Sequence, residues 1–194
     1  MFERTALILL DSKPNRHSLN ALLGALEADG ELDDLEIRWP AGEGQLGAQI
    51  ARARAGGKRP IVALSFTTPQ LWRISELVAR LRAQNPGALW VAGGPHPTAD
   101  PQATLRLGFD VVVLGEGEAT LPDLLKTIDA GGDLARVAGI AFESSAGAPH
   151  YTPRRTPIEL DSYPPFPLRR RRRVGPIEIT RGCPFACGFC QTTH

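Results

Sequence analysis

The sequence predicts a doubly wound α/β fold of the flavodoxin-like type, built on a five-stranded parallel sheet. Several apolar runs are short and continuous, as expected of strands that are buried on both faces. Apolar residues at helical spacing lie between these runs. Together they form five strand–helix units within residues 1–134. This regular alternation of strand and helix favours an α/β domain over an all-α or all-β one.

The strands and helices follow one another along the chain in this way. Strands are predicted at 6–10, 35–38, 61–64, 89–92 and 111–114. Helices are predicted at 19–26, 45–54, 71–81, 98–107 and 121–128. The second strand and the second and fourth helices have the weakest patterns, and they are placed mainly by the order of the other elements.

The pattern changes after residue 134. Strand-like segments at 137–142 and 150–152 flank a Ser/Gly turn, which predicts a small hairpin outside the sheet. Prolines at 163–167 and five arginines at 169–173 predict an interdomain linker, and 176–180 has strand character. We therefore divide the chain into an α/β domain (1–134), a hairpin and linker (135–173) and the start of a second domain (174–194).

Composition and charge exclude several classes of function. The chain has 194 residues, with 22 Lys plus Arg against 21 Asp plus Glu. A net charge of +1 provides no general attraction to nucleic acid. We expect a cytoplasmic protein, because we find neither a secretory signal nor an apolar run of about 18 residues. The arginine run 169–173 is the basis of a minor hypothesis, an RNA contact, but no aromatic residues alternate with it.

The loops after the strands are the expected ligand site, because parallel sheets bind ligands at the carboxyl ends of their strands. Ser65 and Thr67 offer hydroxyl groups there, and Gly93 and Gly94 allow a ligand to approach the backbone. The alternative is that these residues only turn each strand into the next helix.

Three other polar residues in these loops have simpler explanations. We expect His96, beside two prolines, to be a surface or capping residue. Glu116 and Glu118 lie at the start of a predicted helix, where carboxylates stabilise the helix dipole.

The three cysteines, Cys183, Cys187 and Cys190, have the spacing CxxxCxxC. Three thiolates in such a loop can hold three irons of a 4Fe–4S cluster and leave the fourth iron open to a chelating substrate. The alternatives are a zinc site with His194 as the fourth ligand, or three idle thiols.

The segment 181–190, RGCPFACGFC, resembles the cluster-binding motif of radical S-adenosylmethionine enzymes, with the aromatic Phe189 before the last cysteine. Upstream, 93–98 (GGPHPT) and 108–118 (GFDVVVLGEGE) resemble the cobalamin-binding-type domain that precedes the radical barrel in one large subgroup. The resemblance spans nearly the whole chain, and it implies the N-terminal part of such an enzyme.

The resemblance implies specific roles for these residues. Cys183, Cys187 and Cys190 would bind the cluster, whose open iron holds S-adenosylmethionine, with Phe189 near the adenine. An electron, from a donor such as flavodoxin or ferredoxin, would generate a 5′-deoxyadenosyl radical for methylation or rearrangement of a small-molecule substrate. Cobalamin would lie over the barrel mouth, and its nucleotide tail would enter a channel lined by Ser65, Thr67, Gly93 and Gly94.

Two departures from the family pattern modify this expectation. Domains that ligate cobalt through histidine carry DxHxxG after the first strand, but Lys13 and Arg16 follow Asp11 here. We therefore expect cobalamin without a histidine ligand, and His17 out of register. A radical barrel needs on the order of 200 residues, so we expect a truncated chain that is inactive alone. The alternative function is a stand-alone corrinoid or small-ligand binding module without catalysis.

Overall fold

The structure is a computed structural model that describes residues 2, 4–11, 16–170, 174–183 and 185. The strands are β1 (Thr5–Leu9), β2 (Glu36–Arg38), β3 (Arg59–Ser65), β4 (Leu89–Gly93), β5 (Val111–Val113), β6 (Ile140–Glu143) and β7 (Pro149–Tyr151). The helices are α1 (Arg16–Ala28), α2 (Glu43–Ala55), α3 (Leu71–Gln84), α4 (Pro95–Ala99), α5 (Pro101–Arg106) and α6 (Gly117–Ala130). All seven strands form one sheet in the order β2-β1-β3-β4-β5-β6-β7.

The first five strands run parallel and are covered on both faces, as predicted. On one face Ile8, Val62 and Trp90 pack with side chains of α2 and α3. On the other face Leu7 and Val91 pack with side chains of α1 and α6. Continuous apolar runs are therefore required, because alternate residues of each strand enter opposite cores.

The predicted hairpin joins the sheet, so the sheet is mixed and has seven strands, where five parallel strands were expected. Strand β6 pairs antiparallel with β5, with Ala141 opposite Val112, and β7 pairs with β6. Val112 is fully buried. Without β6, β5 would present unpaired backbone groups at a buried sheet edge, which the pairing removes.

The predicted fourth helix, 98–107, divides into α4 and α5 at Asp100. Pro101 has no N–H to continue a helix and favours extended backbone in the residue before it. Asp100 accordingly has φ −135° and ψ 72°, and its carboxylate accepts a hydrogen bond from the Ala103 N–H at 3.0 Å. Asp100 therefore ends one helix and caps the next.

The segment after the hairpin, which includes part of the predicted interdomain linker, packs on α1. We call residues 163–170 and 174–181 the α1 strap. The buried carboxylate of Glu27 accepts hydrogen bonds from the backbone N–H groups of Leu168, Arg169 and Arg170. The Arg170 side chain donates to backbone carbonyls in the turn after α1. These two arginines are thus engaged within the chain.

The strand expected at 176–180 is not formed: the structure gives these residues no strand pairing. Pro176 has no N–H for a ladder, and Ile179 is 92% exposed. The division of the chain at residues 134 and 173 stays a prediction. Among the described residues, no helix combines the length and the apolar character needed to cross a membrane.

Candidate functional site

A cavity of about 700 Å³ opens at the carboxyl ends of the parallel strands. It lies between α1 and α6, over the ends of β1, β3, β4 and β5. Its walls are mainly apolar and include Leu9, Leu19, Leu22, Ala63, Val91 and Val113. This is the edge at which a parallel sheet binds its ligands, and the volume suits a sizeable, partly apolar group.

Three of the four predicted loop residues, Ser65, Gly93 and Gly94, line this cavity. The fourth, Thr67, turns toward α3. Its N–H and its hydroxyl both donate to Gln70 Oε1, at 2.8 and 3.1 Å. The bond from the Thr67 N–H to the Gln70 side chain is one half of a capping box that starts the turn before α3, so Thr67 makes a local structural contact.

Gly94 allows the close approach of two loops at the cavity floor. Its φ is +97°, which disfavours any side chain, and a Cβ there would lie 2.7 Å from Ser65 Oγ and 3.1 Å from Phe66 N. Helix α4 is also joined to the loop after β5, because the Gly115 N–H donates to Thr98 Oγ1 at 3.1 Å. The floor is therefore a preformed backbone cradle.

An ion cluster stands at the mouth of the cavity, where Glu116, Glu118, Glu178 and Arg181 all contribute to the lining. Arg181 Nη2 lies 2.6 Å from Glu118 Oε1, and Arg181 Nη1 lies 3.5 Å from Glu116 Oε1. Arg181 Nε donates to Glu178 Oε2 at 2.9 Å. The cluster thus joins the start of α6 to the residues just before Cys183.

Arg181 is the counter-ion that the three carboxylates of this cluster share. Burial alone would lower the pKa of Arg181, but hydrogen bonds from its guanidinium to Glu118 and Glu178 hold that pKa above its ordinary value. Arg181 therefore stays charged at every working pH. Glu118 is only 4% exposed, so its carboxylate requires a partner of opposite charge.

Stabilisation of the helix dipole, the role expected for Glu116 and Glu118, does not account for all of their contacts. Glu116 makes no side-chain cap hydrogen bond to α6. Its Oε2 accepts from the Ile158 N–H at 2.6 Å while its Oε1 faces Arg181. The pairing with Arg181 could not be found from the sequence, because 65 residues separate Glu116 from its partner.

His96 is buried, so the surface position, one of its two expected roles beside capping, is wrong. It is 8% exposed, its ring centroid lies 5.5 Å from that of Phe66, and its Nδ1 lies 3.1 Å from Thr68 Oγ1. The two prolines beside it place it in α4, which packs against β4 and β5. His17 is exposed at the start of α1 and lines a second cleft of about 440 Å³.

Little of the predicted cluster site lies within the described residues. Cys183 is partly exposed and is a free thiol. The described residues do not include Cys187, Phe189, Cys190 or His194. They also do not include Lys13, which stands where a histidine ligand of cobalt would be needed. The described residues alone contain no group of three His, Cys, Asp or Glu side chains arranged to hold a metal. The cluster and the histidine-free cobalt stay predictions.

Comparison with known proteins identifies the domain. Residues 11–125, more than half of the chain, match the model of the B12 binding domain. The chain belongs to the B12-binding domain family. The match begins just after β1 and ends within α6, so it covers the loops that line the cavity.

Relatives of this B12-binding chain include much longer proteins. It is 28% identical over 144 residues to an uncharacterized methyltransferase of Pyrococcus horikoshii, covering 69% of the chain and 31% of the relative. It is 30% identical over 187 residues to the anaerobic magnesium-protoporphyrin IX monomethyl ester cyclase of Rubrivivax gelatinosus, covering 88% of the chain and 33% of that relative. The chain thus spans about a third of the length of each.

Solved structures with the same fold include two enzymes. The cobalamin-dependent S-adenosylmethionine radical enzyme OxsB, with aqua-cobalamin and S-adenosylmethionine bound, superposes with a TM-score of 0.66 at 17% identity, covering 84% of this chain and 24% of OxsB. The radical S-adenosylmethionine methyltransferase TsrM from Kitasatospora setae gives a TM-score of 0.60 at 20% identity, covering 77% of this chain and 30% of TsrM. At these identities the likeness establishes the α/β fold of the B12-binding chain.

Proposed function

We propose that the cavity binds cobalamin, and that the chain is the cobalamin-binding part of a radical S-adenosylmethionine enzyme that carries out methylation or rearrangement. The observation that supports this most is the cavity of about 700 Å³ in a B12-binding chain, at whose mouth the residues just before Cys183 are held. The names of its relatives, a methyltransferase and a cyclase, agree with the proposal.

The residues of the cavity fit a corrinoid. The apolar walls formed by Leu19 and Leu22 would contact the apolar parts of the ligand, and Gly94 leaves the floor free of a side chain that would collide with Ser65. The ion cluster around Arg181 would close the mouth. Bound cobalamin would supply methyl-transfer or radical chemistry, while these side chains would position the ligand and exclude water.

The cysteine spacing supports the second half of the proposal. Cys183, Cys187 and Cys190 would hold a 4Fe–4S cluster, with S-adenosylmethionine at the open iron and Phe189 near its adenine. A small one-electron donor such as flavodoxin or ferredoxin would be the redox partner. In this arrangement the strap would bring the cluster next to the corrinoid.

Cobalamin binding can be tested with one substitution and a matched control. Ala99 is exposed at the cavity mouth, and Ala79 is exposed on α3 outside the cavity. We expect Ala99→Phe to raise the Kd for aquacobalamin, measured by visible absorbance, by about tenfold, which is about 1.4 kcal/mol. Ala79→Phe should leave the Kd unchanged. Equal affinities in both variants and the natural chain, or no binding at all, would refute the proposal.

The cluster is tested by anaerobic reconstitution with iron and sulfide. We expect weak, oxygen-labile absorbance from an iron–sulfur cluster, and its loss in each of Cys183→Ala, Cys187→Ala and Cys190→Ala. Cobalamin binding without iron uptake would instead favour a corrinoid-binding module without catalysis. Stoichiometric zinc in place of iron would contradict the radical-enzyme assignment.

A further inference from the structure

The second part of the α1 strap crosses α1 before it reaches the cavity. A Cβ at Gly175 would lie 2.7 Å from Asn20 Nδ2, so the strap backbone lies directly against the helix. Pro176 and Ile177 then line the second cleft beside His17. Glu178 and Arg181 contribute to both the cavity and the second cleft. The strap therefore ends at the wall that separates the two spaces.

The contact that holds this end of the strap is the ion pair between Arg181 and Glu118. Glu118 belongs to α6, whereas Arg181 belongs to the strap, and their side chains are 5% and 25% exposed. Release of the strap would take this counter-ion away from Glu118 and leave its carboxylate dependent on water from the cavity. Where water cannot reach it, an unpaired carboxylate is strongly unfavourable, and the pair then favours the docked strap.

We propose that this pair is a latch that couples cobalamin binding to docking of the strap, so that each strengthens the other. The inference rests on the proposed function of the cavity. Glu118 and Arg181 both line the cavity, so a ligand there would contact both halves of the latch. Arg181 is thus a positioning residue, which would hold Cys183 at the corrinoid.

The sign of the coupling follows from solvation. In the empty cavity, water can solvate Glu118 when the strap is released. A bound corrinoid displaces that water, so a released strap then leaves the carboxylate with neither water nor Arg181. The ligand therefore penalises the released state more than the docked state. By linkage, docking must raise cobalamin affinity by the same factor as cobalamin raises docking.

The test measures both sides of this linkage on the same protein. Aquacobalamin affinity is measured by absorbance, and hydrogen exchange of the peptide 174–183 is measured with and without aquacobalamin. The variants are Arg181→Gln, Glu118→Gln, the double variant and Arg181→Lys. Arg73→Gln is the control, because Arg73 pairs with Glu43 at 2.7 Å and is 75% exposed on α3.

We expect Arg181→Gln and Glu118→Gln each to weaken aquacobalamin binding about tenfold, with the double variant no weaker than either single variant. Arg181→Lys should restore part of the affinity, and Arg73→Gln should have no effect. Aquacobalamin should slow exchange of peptide 174–183 in the natural chain but not in Arg181→Gln. Unchanged melting curves would show that the variants are folded. If Glu118→Gln does not fold, Glu116→Gln serves as a second probe of the ion cluster.

Two failures can be told apart. If the natural chain binds no aquacobalamin, the proposed function itself is refuted. If it binds aquacobalamin, but with equal affinity in the Arg181 and Glu118 variants and with no change in exchange of peptide 174–183, the latch is refuted and the cobalamin site remains.

Discussion

Gly24 provides the sharpest test of how the strap is held on α1. It is an interior residue of α1, and an added Cβ would lie 2.2 Å from the Pro164 carbonyl oxygen and 3.1 Å from the Pro164 carbonyl carbon. These are backbone atoms, so no side-chain rotation can relieve the collision. Substitution by alanine therefore requires the strap to move by at least 0.8 Å to restore a contact of 3.0 Å.

Overpacking determines how much Gly24→Ala weakens docking of the strap. Overpacking against a fixed backbone costs about 1–3 kcal/mol. Alanine also favours the helical conformation over glycine by about 0.5–1 kcal/mol, but this gain stabilises α1 whether or not the strap is docked. We therefore expect docking of the strap to weaken by about 1–3 kcal/mol, which is about 5- to 150-fold in the docking equilibrium.

Hydrogen exchange by peptide is the appropriate assay. Amides of Leu168, Arg169 and Arg170, which donate to Glu27, should exchange faster in Gly24→Ala by that factor, while β1 and β3 keep their protection. Gly47→Ala in α2 is the matched control. A Cβ there meets only Leu81 Cδ2 at 3.5 Å, an ordinary contact, so only the helical gain should appear.

The result that would refute this reasoning is a Gly24→Ala chain whose strap amides keep their natural protection. That result would show that the strap does not lie against Gly24. It would also contradict the docked position of the strap from which we infer its contacts at the cavity mouth. A loss of protection throughout the sheet would show instead that the strap and the α/β core unfold as one unit.

Two further predictions concern Glu27 and Thr152. Burial by itself would raise the pKa of Glu27. Hydrogen bonds from the backbone N–H groups of Arg169, Arg170 and Leu168 lower it by more, so the pKa of Glu27 lies below its ordinary value. Its anchoring is therefore complete above a pH of about 4.3, the pKa of an unfolded glutamate, and is lost as the pH falls through the lower folded pKa. Hydrogen-exchange protection of the strap should fall on acidification in the natural chain and lose most of this pH dependence in Glu27→Gln. An unaltered pH dependence in Glu27→Gln would contradict this account of the strap. Thr152→Val should lower the free energy of unfolding by about 1–3 kcal/mol, measured by urea unfolding, because the Ile140 N–H loses its 3.0 Å bond to the buried Thr152 hydroxyl. Thr156 is exposed, so Thr156→Val should have little effect on the free energy of unfolding. Equal stability of the two variants would show that the Thr152 hydroxyl does not stabilise β6.

The amino-acid sequence by itself determined the features that depend on local patterns. Continuous apolar runs identify four of the five parallel strands, and helical spacing identifies three of the helices, because both report which faces of one segment are buried. The remaining strand and helices follow from the order of these elements along the chain. The rule that ligands bind at the carboxyl ends of parallel strands was enough to place Ser65, Gly93 and Gly94 at the cavity. Each of these inferences needs only a short stretch of chain.

The tertiary structure alone decided the contacts between distant segments. It joined the hairpin to β5, laid the strap on α1 and paired Arg181 with Glu118. It also turned Thr67 toward Gln70 and buried His96 beside Phe66. No local pattern contains this information, since the partner of a charge or of a strand edge depends on the path of the whole chain. In the sequence, Arg181 and Glu118 could each pair with many other charged residues. Only folding brings Arg181 Nη2 to 2.6 Å from Glu118 Oε1.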